Sequence, residues 1–277
     1  QSYLNEENIF ITGPGGTGKT YVIKQIYKHA IDNNKKICVT ALTGVASVLL
    51  DCNATTIHSW SGIGMANGTE AEIVKRVTGK KYKKAALKAV DVLIVDEVSM
   101  MSKKLFELLN LCGKMVRKSE LSFGGIQLVF SGDFFQLPPV PSRDQEDTDK
   151  FCFESPQWYE VFPKVNHVLL KKIFRQDNAL FSKILNQIRV GKISKNSCAE
   201  LKTHVGKKKT DELAVMVDTF APLKLTQLAI DLSDGKYHII GSGLCGLQEP
   251  NGHIDCGNSG TSARLLMGLV SAFDFRS

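Results

Sequence analysis

Apolar runs at 8–12, 36–40, 92–96, 127–131 and 167–170 punctuate the first 210 residues. Segments with the apolar spacing of amphipathic helices stand among them, at 19–30, 45–50, 80–89, 102–117 and 178–189. Runs such as Val92-Leu93-Ile94-Val95 carry no alternating polar positions. A strand buried on one face alternates, whereas a strand buried on both does not. Strands of this kind interleaved with helices predict an α/β fold, a parallel sheet flanked by helices. The polar, acidic stretch 141–150 reads as a mobile loop, and no internal repeat or low-complexity tract interrupts the pattern.

Directly after the first run comes Gly13-Pro14-Gly15-Gly16-Thr17-Gly18-Lys19-Thr20, which fits G-x-x-x-x-G-K-[ST] without a gap. Strand before and helix after is the context this phosphate-cradling motif requires. The glycines let backbone N–H groups turn inward on phosphates, and the positive end of the following helix adds attraction. Lys19 is placed to reach the β- and γ-phosphates, and the Thr20 hydroxyl to ligate Mg²⁺. The expectation is a chain that binds a nucleoside triphosphate.

The run at 92–96 ends in Asp96-Glu97, two carboxylates at the edge of the sheet where ligands of open α/β sheets sit. Asp96 would hold Mg²⁺ and Glu97 would deprotonate an attacking water. Taken alone, the same pair also describes a solvated strand end. A third segment, Ser131-Gly132-Asp133-Phe134-Phe135-Gln136-Leu137-Pro138-Pro139, carries a strand into a polar cluster and then a stiff stop. Gln136 can donate and accept, and so can detect a γ-phosphate or its attacking water. Leu-Pro-Pro can also simply terminate a strand.

The chain has 277 residues, enough for one large domain or two modest ones. No apolar run approaches the ~20 residues that span a bilayer. The N-terminus lacks the basic-then-apolar layout of a signal peptide. Seven cysteines are scattered with no C-x-x-C pair, which speaks against a zinc site or disulfide framework and for a reducing, intracellular compartment. Nucleus, mitochondrion and cytoplasm are not distinguished. The net charge of +7 is uneven: residues 1–210 hold 31 Lys/Arg against 20 Asp/Glu, and 211–277 hold 4 against 8. A basic half that carries the phosphate loop suits a partner with a phosphate backbone, or is only a lysine-rich surface.

Ala41-Leu42-Thr43-Gly44-Val45-Ala46, Thr56-Ile57-His58-Ser59-Trp60, Asp96-Glu97-Val98-Ser99-Met100, Gly132–Pro139 and Phe174-Arg175-Gln176 resemble successive signatures of the Pif-type helicases. These are RecD-like members of helicase superfamily one, and the resemblance covers residues 1 to about 210. It implies a RecA-like P-loop NTPase lobe. The motor to which such a lobe belongs uses ATP and Mg²⁺ to move 5′ to 3′ on single-stranded DNA. It opens duplexes, forks or other structured DNA in replication, recombination, repair or telomere maintenance. By the same resemblance Gly13, Gly15, Gly16, Thr17, Gly18, Lys19 and Thr20 bind nucleotide, and Thr20 and Asp96 the metal. Glu97 activates water, Gln136 links the γ-phosphate to DNA, and Arg175 is an arginine finger. Thr43, Gly44, His58, Ser59 and Trp60 fall in segments that lie along the DNA strand. Trp60 is either a stacking platform for a base or a core aromatic. The lysines at 80, 81, 83, 84 and 88 form a solvated face or contact phosphates.

Some of the family's signatures have no match. The glutamine motif expected upstream of the phosphate loop is not found, which suits a chain cut short there. A Ser-Gln-Gly and a Val-Ala-Leu-Ser-Arg segment are not found either, so no second RecA-like lobe is expected. One lobe would bind nucleotide and hydrolyse it slowly, or act as an ATP-dependent single-stranded DNA-binding switch without translocation. A small-molecule P-loop kinase fits the Gln136 and Arg175 segments poorly. From 211 onward the charge balance reverses. Leu247-Gln248-Glu249-Pro250 and the segment from Ile254 to Gly268 resemble a fragment of enolpyruvylshikimate-phosphate synthase, with Asn258, Gly260 and Thr261 at a phosphoenolpyruvate-site turn. The expectation is a short unrelated C-terminal segment, 211–277, with a helix at 262–270.

Overall fold

The computed structural model describes residues 2–64, 66–142, 145–174 and 178–203, together with two short strands at Leu228–Ala229 and His238–Ile239. Within the first of two compact units, residues 1–191, six strands lie side by side. They are β1 (Ile9–Thr12), β2 (Ile37–Ala41), β3 (Thr55–Thr56), β4 (Val92–Asp96), β5 (Gln127–Gly132) and β6 (His167–Leu169). Their order is β3-β2-β4-β5-β1-β6 and every pairing is parallel, as the apolar runs predicted. Five of the six had been expected. The two-residue β3 is too short for periodicity to reveal.

Alternate residues of each central strand serve two separate cores. Ile9, Ile11, Val92, Ile94 and Val129 pack on one face with Ile23 and Ile26 of helix α1 (Lys19–Asp32) and Leu50 of α2 (Gly44–Leu50). Phe10, Leu93, Val95, Leu128 and Phe130 pack on the other face. That second core is covered by α3 (Ile57–Ser61), α4 (Glu70–Gly79), α5 (Lys81–Ala89), α6 (Lys103–Arg117) and α7 (Trp158–Val161). Its centre is aromatic: Trp158 meets Phe10, Phe106 and Phe162 at ring-centroid distances of 5.3, 5.6 and 4.8 Å. A last helix of this unit, α8 (Ala179–Arg189), follows β6.

Helix α4 begins at a capping box: Thr69 Oγ1 accepts from Glu72 N–H at 3.3 Å, and Glu72 Oε2 accepts from Thr69 N–H at 2.9 Å. The 141–150 stretch, expected to be mobile, is tied to the start of α6. There Asp147 pairs with Lys103 and Lys150, each at 2.7 Å, and its carbonyl accepts from Lys104 N–H at 3.2 Å. Among the described residues no helix is long and apolar enough to cross a membrane. In the second unit, 192–277, the described elements are α9 (Lys195–Thr203) and an antiparallel pair, Leu228–Ala229 with His238–Ile239. The expected boundary at 210, the helix at 262–270 and the synthase-like segment lie outside the described residues.

Helix α6 meets the turn Ser122–Gly124 backbone to backbone. A Cβ on Gly113 would stand 2.6 Å from the Phe123 carbonyl oxygen. Arg117 locks the same contact, with Nε donating to Gly124 O at 2.7 Å and Nη1 to Val90 O at 3.0 Å. Gly113→Ala is therefore expected to cost about 1–3 kcal/mol of stability, the usual penalty for overpacking. Gly79→Ala in α4, where nothing lies within 4 Å, should be neutral or gain up to ~1 kcal/mol. Urea midpoints of the two variants check this, and equal shifts would contradict the packing assigned to Gly113.

Candidate functional site

Parallel strands deliver the chain to the same edge of the sheet each time, so the segments after β1, β2, β4, β5 and β6 gather there. After β1 the backbone turns through Gly13, Gly16 and Gly18 at φ of 149°, 78° and 90°, values that side-chain-bearing residues rarely adopt. Gly13 also lies tightly under the exit of β6, where a Cβ would stand 2.3 Å from Leu170 O. Phe174 N–H donates to Gly16 O at 2.8 Å, so the β6 exit passes across the loop. Thr17 is buried and its hydroxyl donates to Pro14 O at 2.9 Å, bracing the loop internally. Gly18 starts α1 without a side-chain cap. The first-turn N–H groups of that helix are thereby left to an anion.

Lys19 Nζ donates to Gly13 O at 2.7 Å and Pro14 O at 3.1 Å. Burial draws its pKa down, against the pull of Asp133, Glu97 and Asp96. Thr20, one residue on, is exposed. Asp96 closes β4 and is 7% exposed. Glu97 follows in the left-handed region, φ 57° and ψ 40°, a conformation unfavourable for a residue other than glycine. Burial pushes both carboxyls up, and in Glu97 the Asp96 charge adds to it. This donor set of a hydroxyl, two carboxylates and a lysine beside an uncapped helix start fits a phosphate chain with a hard divalent cation.

Gln136 is exposed, and with Pro14 and Gly15 it lines a cavity of about 280 Å³ that extends to α8. Of the residues expected along a DNA strand, Thr43 caps α2, its Oγ1 accepting from Ala46 N–H at 3.2 Å, and Gly44 is exposed. The pairing Ala41↔Thr56 sets these next to the exit of β3, where His58 and Ser59 lie in α3. His58 is half-buried, and burial pulls its pKa down. Trp60 is 8% exposed and belongs to the core under the sheet, so of its two readings the structure places the indole inside. Lys80, Lys81, Lys84 and Lys88 are exposed, whereas the Lys83 ammonium is taken by the Ser59 carbonyl. Arg175 lies outside the described residues.

The family model for PIF1-like helicases matches residues 2–199. The chain belongs to this family. It is 41% identical over 189 residues to the ATP-dependent DNA helicase RRM3 of Saccharomyces cerevisiae, covering 68% of this chain and 26% of that protein. It is 40% identical to the ATP-dependent DNA helicase Pif1 of a Psychrobacter species over 191 residues, 66% of this chain and 28% of that one. The chain thus spans about a quarter of the length of these curated relatives. The crystal structure of Pif1 helicase from Candida albicans superposes with a TM-score of 0.69 at 34% identity, covering 76% of this chain and 47% of that one. Bacteroides Pif1 in complex with ADP-AlF3 and single-stranded DNA gives 0.59 at 28% identity, covering 75% and 48%. The fold is the RecA-like lobe of a P-loop NTPase.

Two charged residues at this PIF1-like site were not singled out from the sequence. Asp133 is buried at the end of β5, and Arg189 ends α8 beside it. Their 2.5 Å ion pair joins positions 56 residues apart. Nothing in the sequence signals that pairing.

The Asp96–Glu97 pair makes a stability prediction. Carboxyls whose pKa rises on folding contribute stability below their unfolded values and lose it as pH climbs through the raised folded values. Glu97→Gln removes one of two adjacent like charges. Its melting temperature should exceed wild type at pH 7, with the gain shrinking toward about pH 4. Calorimetric melting at both pH values checks this, and a lower melting temperature at pH 7 would contradict it.

Proposed function

We propose that this chain is the ATP-binding and ATP-hydrolysing lobe of a 5′-to-3′ DNA helicase acting on single-stranded and on forked or structured DNA. One observation carries the reading. A glycine-built, uncapped helix start, Lys19, the buried Asp96 and the half-buried Glu97 converge on one sheet edge, beside an exposed glutamine. The Gly13–Gly18 backbone and Lys19 hold the phosphates, and Thr20 and Asp96 hold Mg²⁺. Bound ATP with its metal supplies the phosphoanhydride whose cleavage drives movement. Glu97 takes a proton from the attacking water on its carboxylate, made more basic by burial and by Asp96. Gln136 reads the end of the phosphate chain. Arg175 adds positive charge where negative charge develops. Thr43, Gly44, His58 and Ser59, together with the exposed lysines of α5, form the DNA side. Trp60 supports them from the core. The proposed location is intracellular.

Lys19→Ala is expected to abolish binding of Mg²⁺-ATP in isothermal titration, because the ammonium that meets the phosphates is gone. Glu97→Gln should keep that binding while hydrolysis falls roughly 10²–10⁴-fold, the usual contribution of a general base. Unchanged ATP affinity in Lys19→Ala would overturn the site.

Single-stranded DNA should bind with an affinity that falls steeply with salt. The expected slope of log K against log salt is about −0.7 for each phosphate contacted. Lys84→Ala with Lys88→Ala should flatten it. Fluorescence anisotropy over a salt series measures the slope, and a salt-independent affinity would rule out the nucleic-acid partner.

A further inference from the structure

Four donors converge on one buried carboxylate at this site. Arg189 Nε donates to Asp133 Oδ2 at 2.5 Å and Arg189 Nη2 to Oδ1 at 2.6 Å, a two-pronged fork. Phe135 N–H donates to Oδ1 at 3.2 Å, and Gln136 Nε2 to Oδ2 at 3.3 Å. The Asp133 side chain is wholly buried, and the Arg189 guanidinium lies 4.5 Å over the ring of Phe135. Burial alone would raise the Asp133 pKa, yet the hydrogen bonds from Arg189, Phe135 and Gln136 hold it below the ordinary carboxylate range. The group is therefore an anion, and an anion can only accept.

That restriction decides which end of Gln136 it holds. A carboxylate takes the amide nitrogen and leaves Oε1 without a protein donor among the described residues. Gln136 with Pro14 and Gly15 lines the cavity over the phosphate loop, and Arg189 lines it too. We propose that Asp133 and Arg189 are positioning residues for Gln136. Their pair fixes the amide with its oxygen available to a water next to a terminal phosphate, so that discrimination of triphosphate from diphosphate runs through α8. This rests on the nucleotide site proposed above. If Arg189 let go, Asp133 would be a buried charge in need of a new partner, and the amide would lose its fixed orientation.

The test is titration of the full chain with Mg²⁺-ADP and with a non-hydrolysable β,γ-imido ATP analogue. Wild type should prefer the triphosphate. Gln136→Ala should lose that preference by up to roughly tenfold, the net effect of one neutral hydrogen bond. Asp133→Asn and Arg189→Gln should lose the same factor with ADP affinity unchanged, and neither should add to Gln136→Ala in the double variants. Arg189→Lys keeps the charge without the fork and should fall between. If the other variants fail to fold, Arg189→Lys carries the test alone. Equal losses for both nucleotides, effects that add to Gln136→Ala, or a wild type without preference would overturn the positioning role. Unaltered binding of both nucleotides by Lys19→Ala would instead overturn the site, and the inference with it.

Discussion

β1 pairs with β5 on one side and β6 on the other, so that Thr12 stands level with both Gly132 and Leu169. The phosphate loop begins one residue past Thr12, and Asp133 lies one residue past Gly132. Leu170, one residue past Leu169, returns its N–H to Thr12 O at 2.8 Å. All three exits therefore share a level, and the cavity between them follows from that register. A slip by one residue would turn Phe10 from the aromatic core to the opposite face and carry the phosphate loop away from Asp133. Two cores, one on each face, make such a slip costly.

Around that register the charges are set in opposition. The charges of Asp133, Glu97 and Asp96 all act on one ammonium, Lys19, and Asp133 is satisfied by Arg189. Asp96, buried, and Glu97, half-buried, are left as neighbours whose ionisation folding disfavours. The left-handed backbone at Glu97 adds strain at the same point. A divalent cation with a phosphate chain would relieve both the repulsion and the exposed positive end of α1. The local cost of the apo site is thus a source of binding free energy.

Much of this was legible in the residues. Val92–Asp96 announced a strand buried on both faces, and Gly13–Thr20 announced the loop that follows the first strand. The charge cluster was half legible, since Asp-Glu after an apolar run gives the carboxylates but not the backbone twist at Glu97. Helix α4 was missed although Thr69-x-x-Glu72 spells its capping box. The Asp133–Arg189 pair had no such signal, because only the folded sheet brings a strand end against a helix end 56 residues later. Trp60 was ambiguous for a different reason. An indole suits a core and a stacked base equally, and only the 8% exposure separates the two.

The pairing of β1 also sets an order of events during synthesis. Phe10 finds its partner in Phe130 and His167, and no strand made earlier than β5 lies beside it. Translation at roughly 5–20 residues per second leaves Ile9, Phe10 and Ile11 without strand partners for about 6–24 s. Of the six strands of this sheet, the one that carries the phosphate loop is made first and is among the last to be enclosed. Until β5 emerges, the nascent chain presents an apolar strand with two open edges, the kind of segment that chaperones bind.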